Sequence, residues 1–391
     1  MIEHIEIENF KSIGKVSVDL SPVTVLIGRS GVGKSNFLRA IRFLRNYLLN
    51  PEQAVQQEGG WQQIWPSGVP RALALKVRFR LPGFEEPFTY SVTWGFIQGG
   101  HPLQQPPIVE VEHLDVGGRA MLDRAREKIT SVVDSGTPSR ASDLRRLCVG
   151  NFPTISEAVL TFAAWTNGVG WHDFPARVLT SASQPNREAQ ANGLDDNAQN
   201  YLFILRDLTQ DLRNQHARKQ ILARLKQINS TLLTVELNDL RNPQHVVVGH
   251  QLGSHKVALD LSQESDGLRR YYAHLLALYQ TPPKQVLMFE EPENGIYPGA
   301  LKNLAEEFIA APPEQRGQVL LSTQSPDLLD GFGPEQIRVV DLDPDNQQTR
   351  IGPLDSDQAD ALRESLLEPG ELLTVDTPRI AQTADGGANA T

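Results

Sequence analysis

Residues 23–35 read Val23-Thr24-Val25-Leu26-Ile27-Gly28-Arg29-Ser30-Gly31-Val32-Gly33-Lys34-Ser35. The opening run is apolar and β-branched, which predicts a strand buried on both faces. From Ser35 to about Asn46 the spacing of Phe37, Ile41, Phe43 and Leu44 predicts a helix. Between the two, Gly28–Ser35 fits G-x-x-x-x-G-K-[ST] in full, in the strand-to-helix setting that the motif requires. Gly28, Gly31 and Gly33 let the backbone wrap an anion. The N–H groups from Gly28 through Arg29, Ser30, Gly31, Val32 and Gly33, together with the helix N-terminus, can then point at phosphate oxygens. Lys34 can reach β- and γ-phosphates, and the Ser35 hydroxyl can ligate Mg²⁺. The competing reading is a chance glycine-rich turn, which the complete motif in its complete context disfavours.

Such a loop needs an acidic partner for the metal and a group that orients water. The best candidate is Glu290-Glu291, at the carboxyl end of the apolar run Val286-Leu287-Met288-Phe289. Ligand groups converge at that end of a parallel sheet. Adjacent carboxylates repel unless a cation or water intervenes, so Glu290 is assigned to Mg²⁺ and Glu291 to the general base. A solvated acidic turn is the bland alternative. Lys34 and Glu290 stand towards opposite ends of the chain, so an insertion must divide the nucleotide-binding core.

The rest of the chain alternates strands with helices. Ile5 and Ile7 alternate with Glu6 and Glu8, and Val16, Val18 and Leu20 repeat the pattern after Gly14. Residues 51–70, rich in Gln, Gly, Pro and Trp, read as a loop. Leu73–Leu81 and Phe88–Phe96 read as antiparallel strands. From about 134 to 230 the texture is helical, with an intermittent stripe of Leu205, Leu208, Leu212, Leu222, Leu225, Ile228 and Leu232. Strand character returns at Val246-Val247-Val248 and Val319-Leu320-Leu321. Helices are expected near Leu268–Tyr279 and Leu301–Ile309, and the small polar residues Ala381–Thr391 predict a disordered tail.

Composition narrows the class. Hydrophobic residues at 40% and charged residues at 21% are ordinary globular values. The lone Cys148 excludes an internal disulfide and multi-cysteine metal sites. Neither a membrane-length apolar run nor a secretory signal is present, which predicts a cytoplasmic protein with no membrane partner. A net charge of -10 argues against indiscriminate polyanion binding.

With these residues in hand, the sequence resembles the ABC-type ATPase heads of the SMC, RecN, RecF and OLD lineage, and most nearly the stand-alone AAA-type ATPases of bacteria. Ile5-Glu6-Ile7-Glu8-Asn9-Phe10-Lys11-Ser12 resembles the group's first strand, and Gly28 to Asn36 is similar to its Walker A. Glu264-Ser265-Asp266-Gly267-Leu268 resembles a short ABC signature. Phe289-Glu290-Glu291-Pro292-Glu293-Asn294-Gly295-Ile296-Tyr297-Pro298 resembles Walker B running into the D-loop, and Ser322-Thr323-Gln324-Ser325-Pro326 occupies the switch position. Three residues depart from the usual pattern: Glu290 for Asp, Tyr297 for His before Pro, and Gln324 for the switch His.

The resemblance implies an α/β fold: a P-loop NTPase ABC-ATPase head with a mixed sheet, flanking helices and antiparallel N-lobe strands, plus an inserted mainly helical arm. The expected divisions are 1–133 (N-terminal lobe with Walker A), 134–230 (arm), 231–375 (C-terminal lobe with signature, Walker B and switch) and 376–391 (tail). It also implies ATP and Mg²⁺ as cofactors. Gly28–Asn36 would hold nucleotide, Ser35 and Glu290 the metal, and Glu291 and Gln324 the catalytic step. Ser265 and Gly267 would contact ATP bound at Lys34 of a second copy, giving a homodimer glued by ATP. No TOPRIM-type nuclease segment follows, so an ATPase without its own nuclease is expected, in DNA maintenance or phage defence. The alternative is a slowly hydrolysing scaffold that controls a separate effector, a nuclease or toxin.

Other candidates carry a bland reading beside the sharp one. Arg39, Arg42 and Arg45, and Arg213, Arg218, Lys219, Arg224 and Lys226, offer local patches for DNA phosphates, but the acidic total favours solvated, paired helix faces. Trp61, Trp65 and Trp94 suit base stacking or, more commonly, packing. Ser265 is also a good helix N-cap. His245, His250 and His255, five residues apart, match no familiar metal spacing.

Overall fold

The computed structural model describes residues 1–65, 72–96, 106–132, 139–140, 143–149, 157–180, 193–238 and 245–381. The tail from residue 382 on lies outside the described residues. Two compact units divide the chain. The first comprises residues 1–169, 334–367 and 376–391, and the second residues 170–333 and 368–375. Among the described residues no helix is long and apolar enough to cross a membrane.

The first unit carries a large antiparallel sheet in the order Ile13–Asp19, Ile2–Phe10, Leu73–Phe79, Phe88–Gly95, Ile108–Val116, Arg119–Ala125, Lys128–Val132, Ser139–Arg140. Alternation sets its faces: Ile2, Ile5, Ile7 and Phe10 are buried, as are Leu73, Leu75, Val77 and Phe79 on the neighbouring strand. A smaller mixed group holds the phosphate-loop strand, Val23–Ile27, parallel to Ile337–Leu342, which pairs antiparallel with Thr349–Pro353. All residues of Val23–Ile27 are buried, as the apolar run predicts.

The phosphate-loop helix, Lys34–Leu49, buries Phe37, Leu38, Ile41, Phe43, Leu44 and Tyr47. Phe43 and Tyr47 meet Trp61 and Trp94, with ring centroids 5.1–6.0 Å apart. The tryptophans therefore pack rather than present a stacking platform, and Trp94 is fully buried. Of the expected loop 51–70, residues 66–70 lie outside the described residues, and residues 51–65 are not simply a loop. Pro51–Gln57 is a helix with Asn50 as its cap, accepting from the Gln53 N–H at 3.2 Å. Asn50-Pro51 is a cap-and-N1 signal that the surrounding Gln and Gly residues obscured.

The first unit runs through Val169 and so includes helix Glu157–Asn167. Helix Glu157–Asn167 lays Phe162 and Trp165 onto the large sheet, with Trp165 stacked 4.8 Å from Phe79 and Phe162 4.7 Å from Tyr90. Burying each such ring contributes about 1.5–3 kcal/mol, enough to fasten a short helix to this unit. On two neighbouring strands of the same sheet Glu112 and Arg124 are paired and fully buried, 3.6 Å apart. Glu112 accepts from the N–H groups of Cys148 and Val149 and from the Tyr90 hydroxyl. Cys148 thus belongs to this anchor, where burial pushes its thiol pKa up to about 11.

In the second unit, strands Val286–Glu290 and Gln318–Ser322 run parallel in register, Glu290 opposite Ser322. Helices Asp266–Tyr279 and Pro298–Ala310 belong to the same unit, and Phe289 packs on Phe308 and His274. A three-stranded antiparallel sheet, Leu232–Asn238, His245–Leu252 and His255–Asp260, accompanies helices Tyr201–Gln210 and Gln215–Ile228. Arg224 and Arg316 both pair with the fully buried Glu307. Arg213 pairs with Asp211. Of the candidate phosphate-contacting cations on this stretch, Arg224 is thus engaged within the fold, while Arg213, Arg218, Lys219 and Lys226 are exposed.

Candidate functional site

The phosphate loop lies wholly in the first unit. Arg29, Ser30 and Gly31 are exposed, and Lys34 is buried. The Lys34 ammonium donates to the carbonyls of Gly28 (2.7 Å) and Arg29 (2.9 Å), so the lysine arches across the loop. Gly33 has φ 108° and caps the helix without a side-chain hydrogen bond, leaving the first N–H groups uncapped by any side chain. Two glycines are obligatory. A Cβ on Gly28 would stand 2.1 Å from the Val340 carbonyl oxygen, and one on Gly33 would stand 2.2 Å from Thr349 Oγ1.

Behind the loop runs a chain of hydroxyls. Asn36 Nδ2 donates to Ser12 Oγ (2.8 Å), Ser12 Oγ meets Thr349 Oγ1 (2.7 Å), and Thr349 Oγ1 donates to the Val32 carbonyl (2.8 Å). The Thr349 N–H also donates to the Ser12 carbonyl at 2.9 Å. Each group uses its hydroxyl once as donor and once as acceptor, so the chain polarises in one direction. Asn36, assigned to nucleotide by resemblance, here turns its amide to Ser12.

The second unit carries the acidic and signature residues. Glu290 ends its strand, and Glu291 turns into the left-handed region at φ 43°, its N–H donating to the Ser322 carbonyl at 3.0 Å. Non-glycine residues held there carry strain and cluster at functional sites. The turn aims the Glu291 carboxylate at two amides: Gln324 Nε2 donates to Oε1, and Asn294 Nδ2 donates to Oε2 at 3.1 Å. The structure thus brings together the two residues assigned to catalysis. Ser322 Oγ, opposite Glu290, is buried with no hydrogen-bond partner among the described residues.

Ser265 is exposed and caps helix Asp266–Tyr279, accepting from the Leu268 N–H at 3.3 Å. Gly267 packs so closely that a Cβ would lie 2.8 Å from the Gly295 carbonyl, which ties the signature turn to the loop after the acidic pair. Arg269, 4% exposed, donates to the carbonyls of Val178 and Ser262 and pairs with Asp266. His250 joins Glu264 at 2.8 Å and Thr231 at 3.0 Å. Both ring nitrogens of His250 are thus engaged by neighbours in the fold. Four further residues, Ser12 and Thr349 in the first unit and Glu293 and Arg269 in the second, support the loops. Apart from Asp266 and Ser262 beside Arg269, their partners are remote in sequence, and no local signal marked Thr349.

The first unit thus carries a complete phosphate loop, and the second an acidic strand end with the Glu291–Gln324 pair. A family model described as "AAA ATPase domain" matches residues 1–60, and another, "AAA domain, putative AbiEii toxin, Type IV TA system", matches residues 118–330. The second covers more than half the chain, and the chain belongs to that family. No curated protein sequence matches it. Among solved structures it is similar to an SMC head bound to the C-winged helix domain of ScpA (TM-score 0.56, 13% identity), covering 92% of this chain and 98% of that one. It is also similar to an SMC head with an extended coiled coil bound to the C-terminal domain of ScpA derived from Pyrococcus furiosus (TM-score 0.55, 12% identity), covering 93% and 99%. These likenesses establish the SMC-head fold.

Proposed function

We propose that this chain binds and hydrolyses ATP and that ATP drives the pairing of two copies. The observation that carries the proposal is the complete phosphate loop, with its obligatory glycines and arching Lys34, in a chain that also holds the Glu291–Gln324 pair. Backbone N–H groups of Gly28–Lys34 would cradle the phosphates, and Lys34 would leave its loop carbonyls for the β- and γ-oxygens. The residues fit Mg²⁺: a serine hydroxyl at Ser35 and a carboxylate at Glu290 are hard oxygen donors, and the orphaned Ser322 hydroxyl beside Glu290 suits a metal-bound water. When bound, the ion would neutralise charge on the β- and γ-phosphates.

Glu291 takes the proton of the attacking water. Gln324, which has no titratable proton, holds the Glu291 carboxylate through one amide hydrogen and orients water through what remains. Ser265 and the Gly267 backbone serve the γ-phosphate of ATP held by a second copy, so hydrolysis removes a contact only the triphosphate makes and the pair separates. The associated work is DNA maintenance or phage defence. A second reading, in which slow hydrolysis holds and releases a separate effector, is favoured by Gln324 standing where a proton-carrying histidine would speed turnover. The family description naming a toxin–antitoxin system and the SMC heads bound to ScpA support a protein partner.

Mass measurement in solution with ATP and Mg²⁺ tests the proposal. Glu291→Gln is expected to accumulate as an ATP-bound dimer and Lys34→Ala to stay monomeric. Identical masses for the two variants under saturating ATP would refute it. Stimulation of turnover by duplex DNA would favour the first biological setting, and ATP-stable co-purification of a second protein the other.

A further inference from the structure

We infer that Glu293 is a positioning residue for hydrolysis, setting Gln324 against Glu291 through a single acceptor oxygen. The inference rests on the assignment of Glu291 and Gln324 to the chemical step. Glu293 Oε1 accepts two hydrogen bonds from the switch segment: from Thr323 Oγ1 at 2.8 Å and from the Gln324 N–H at 2.8 Å. Thr323 Oγ1 in turn accepts from the Ser325 N–H at 3.0 Å, so three consecutive switch residues are tied to this carboxyl. The Gln324 side chain then reaches back to Glu291 Oε1.

A closed ring results. It runs from Glu291 along the backbone to Glu293, across to the Gln324 amide, out along the Gln324 side chain and back to Glu291. Gln324 has several freely rotating torsions, so its amide finds Glu291 only if its own backbone is fixed. Glu293 fixes it. Positioning errors of about 1 Å at such a site cost roughly 100-fold in rate.

The other oxygen, Oε2, is buried without a hydrogen-bond partner among the described residues. Burial pushes the carboxyl pKa up, and the nearby Glu291 adds to the shift. A buried, unpartnered oxygen has no need of negative charge. The acceptor Oε1 is what the switch uses, and a glutamine offers an equivalent acceptor at the same reach. Charge and acceptor geometry can therefore be separated by experiment.

The test compares wild type, Glu293→Ala, Glu293→Gln, Thr323→Val and Glu291→Gln for ATP affinity, kcat, KM and melting temperature. Glu293→Ala is expected to lose roughly 30- to 100-fold in kcat with ATP affinity and KM within about 3-fold of wild type. Glu293→Gln is expected to restore kcat to within about 5-fold, with an unchanged pH profile. Thr323→Val, which keeps Glu293 and removes one of its two donors, should lose about 3- to 10-fold in kcat and carries the test if the alanine variant fails to fold. A wild-type kcat in folded Glu293→Ala or in Thr323→Val overturns the inference. So does a glutamine variant as slow as the alanine one, which would make charge the active property. If Glu291→Gln itself turns over like wild type, the underlying assignment fails. If Glu291→Gln is inert while Glu293→Ala is normal, only the role of Glu293 fails.

Discussion

Replacing Thr349 by valine removes one hydroxyl behind the phosphate loop and leaves the shape of the side chain almost unchanged. Thr349 is 1% exposed, so water cannot stand in for what is lost. The Val32 carbonyl loses a donor at 2.8 Å and Ser12 Oγ loses a neighbour at 2.7 Å. A net hydrogen bond is worth about 1 kcal/mol, and a buried carbonyl left unsatisfied costs about 1–3 kcal/mol. A total of about 2 kcal/mol is the expected scale. If the loop relaxes to recover a partner for Val32, that energy appears as weakened nucleotide binding, up to about 30-fold in Kd. If the loop stays in place, it appears as a melting temperature lower by about 4–8 °C. Calorimetric titration with ATP and Mg²⁺, together with thermal unfolding, reads both. Thr349→Ser keeps the hydroxyl and should recover most of either loss. Wild-type affinity and wild-type melting in Thr349→Val would refute the bracing role of the hydroxyl chain.

Further outcomes follow from the same geometry. Gly33→Ala, forced to φ 108° with its Cβ 2.2 Å from Thr349 Oγ1, should abolish ATP binding measured by titration, while Gly31→Ala, which meets nothing within 4 Å, should be milder despite its own positive φ. His274, buried against Phe289 and Phe174, has its pKa pushed down to about 4 by burial. An unfolded histidine titrates near about 6.5, so the unfolded chain alone gains a proton as pH falls below that value. Stability is full above pH about 6.5, falls by up to about 3 kcal/mol between there and pH about 4, and changes no further on this account below it. Urea unfolding at pH 7.5 and 5 should show the loss, and His274→Phe should diminish it; equal losses in both proteins would contradict the assignment. Gly267→Ala should displace the signature turn from the Gly295 carbonyl and weaken ATP-dependent pairing without weakening nucleotide binding by the monomer, as read by solution mass and titration.

The nucleotide-binding elements were legible because each is contiguous. A strand, a loop and a helix N-terminus follow one another from Val23 to Lys34, so the motif and its context are visible together. The same holds for Val286–Glu291. What was hidden depends on partners far away in sequence. Thr349 is an ordinary threonine until the fold places it on the Val32 carbonyl, and Glu293 looks like one more acid after Pro292 until Thr323 and Gln324 arrive. Helix Glu157–Asn167 showed a helical texture, but not that Phe162 and Trp165 stack on Phe79 and Tyr90, which assigns it to the first unit. Arg224 read as a surface cation because Glu307, its buried partner, lies on another helix. Small polar residues and long-range ion pairs leave no periodic trace, whereas buried strands and glycine turns do.

Phosphate release from ATP, measured for purified wild type, Lys34→Ala and Glu291→Gln, tests the central claim most directly. Slow but measurable release by wild type is expected, with release lost in both variants and ATP still bound by Glu291→Gln. Release by Lys34→Ala or Glu291→Gln at the wild-type rate would contradict it.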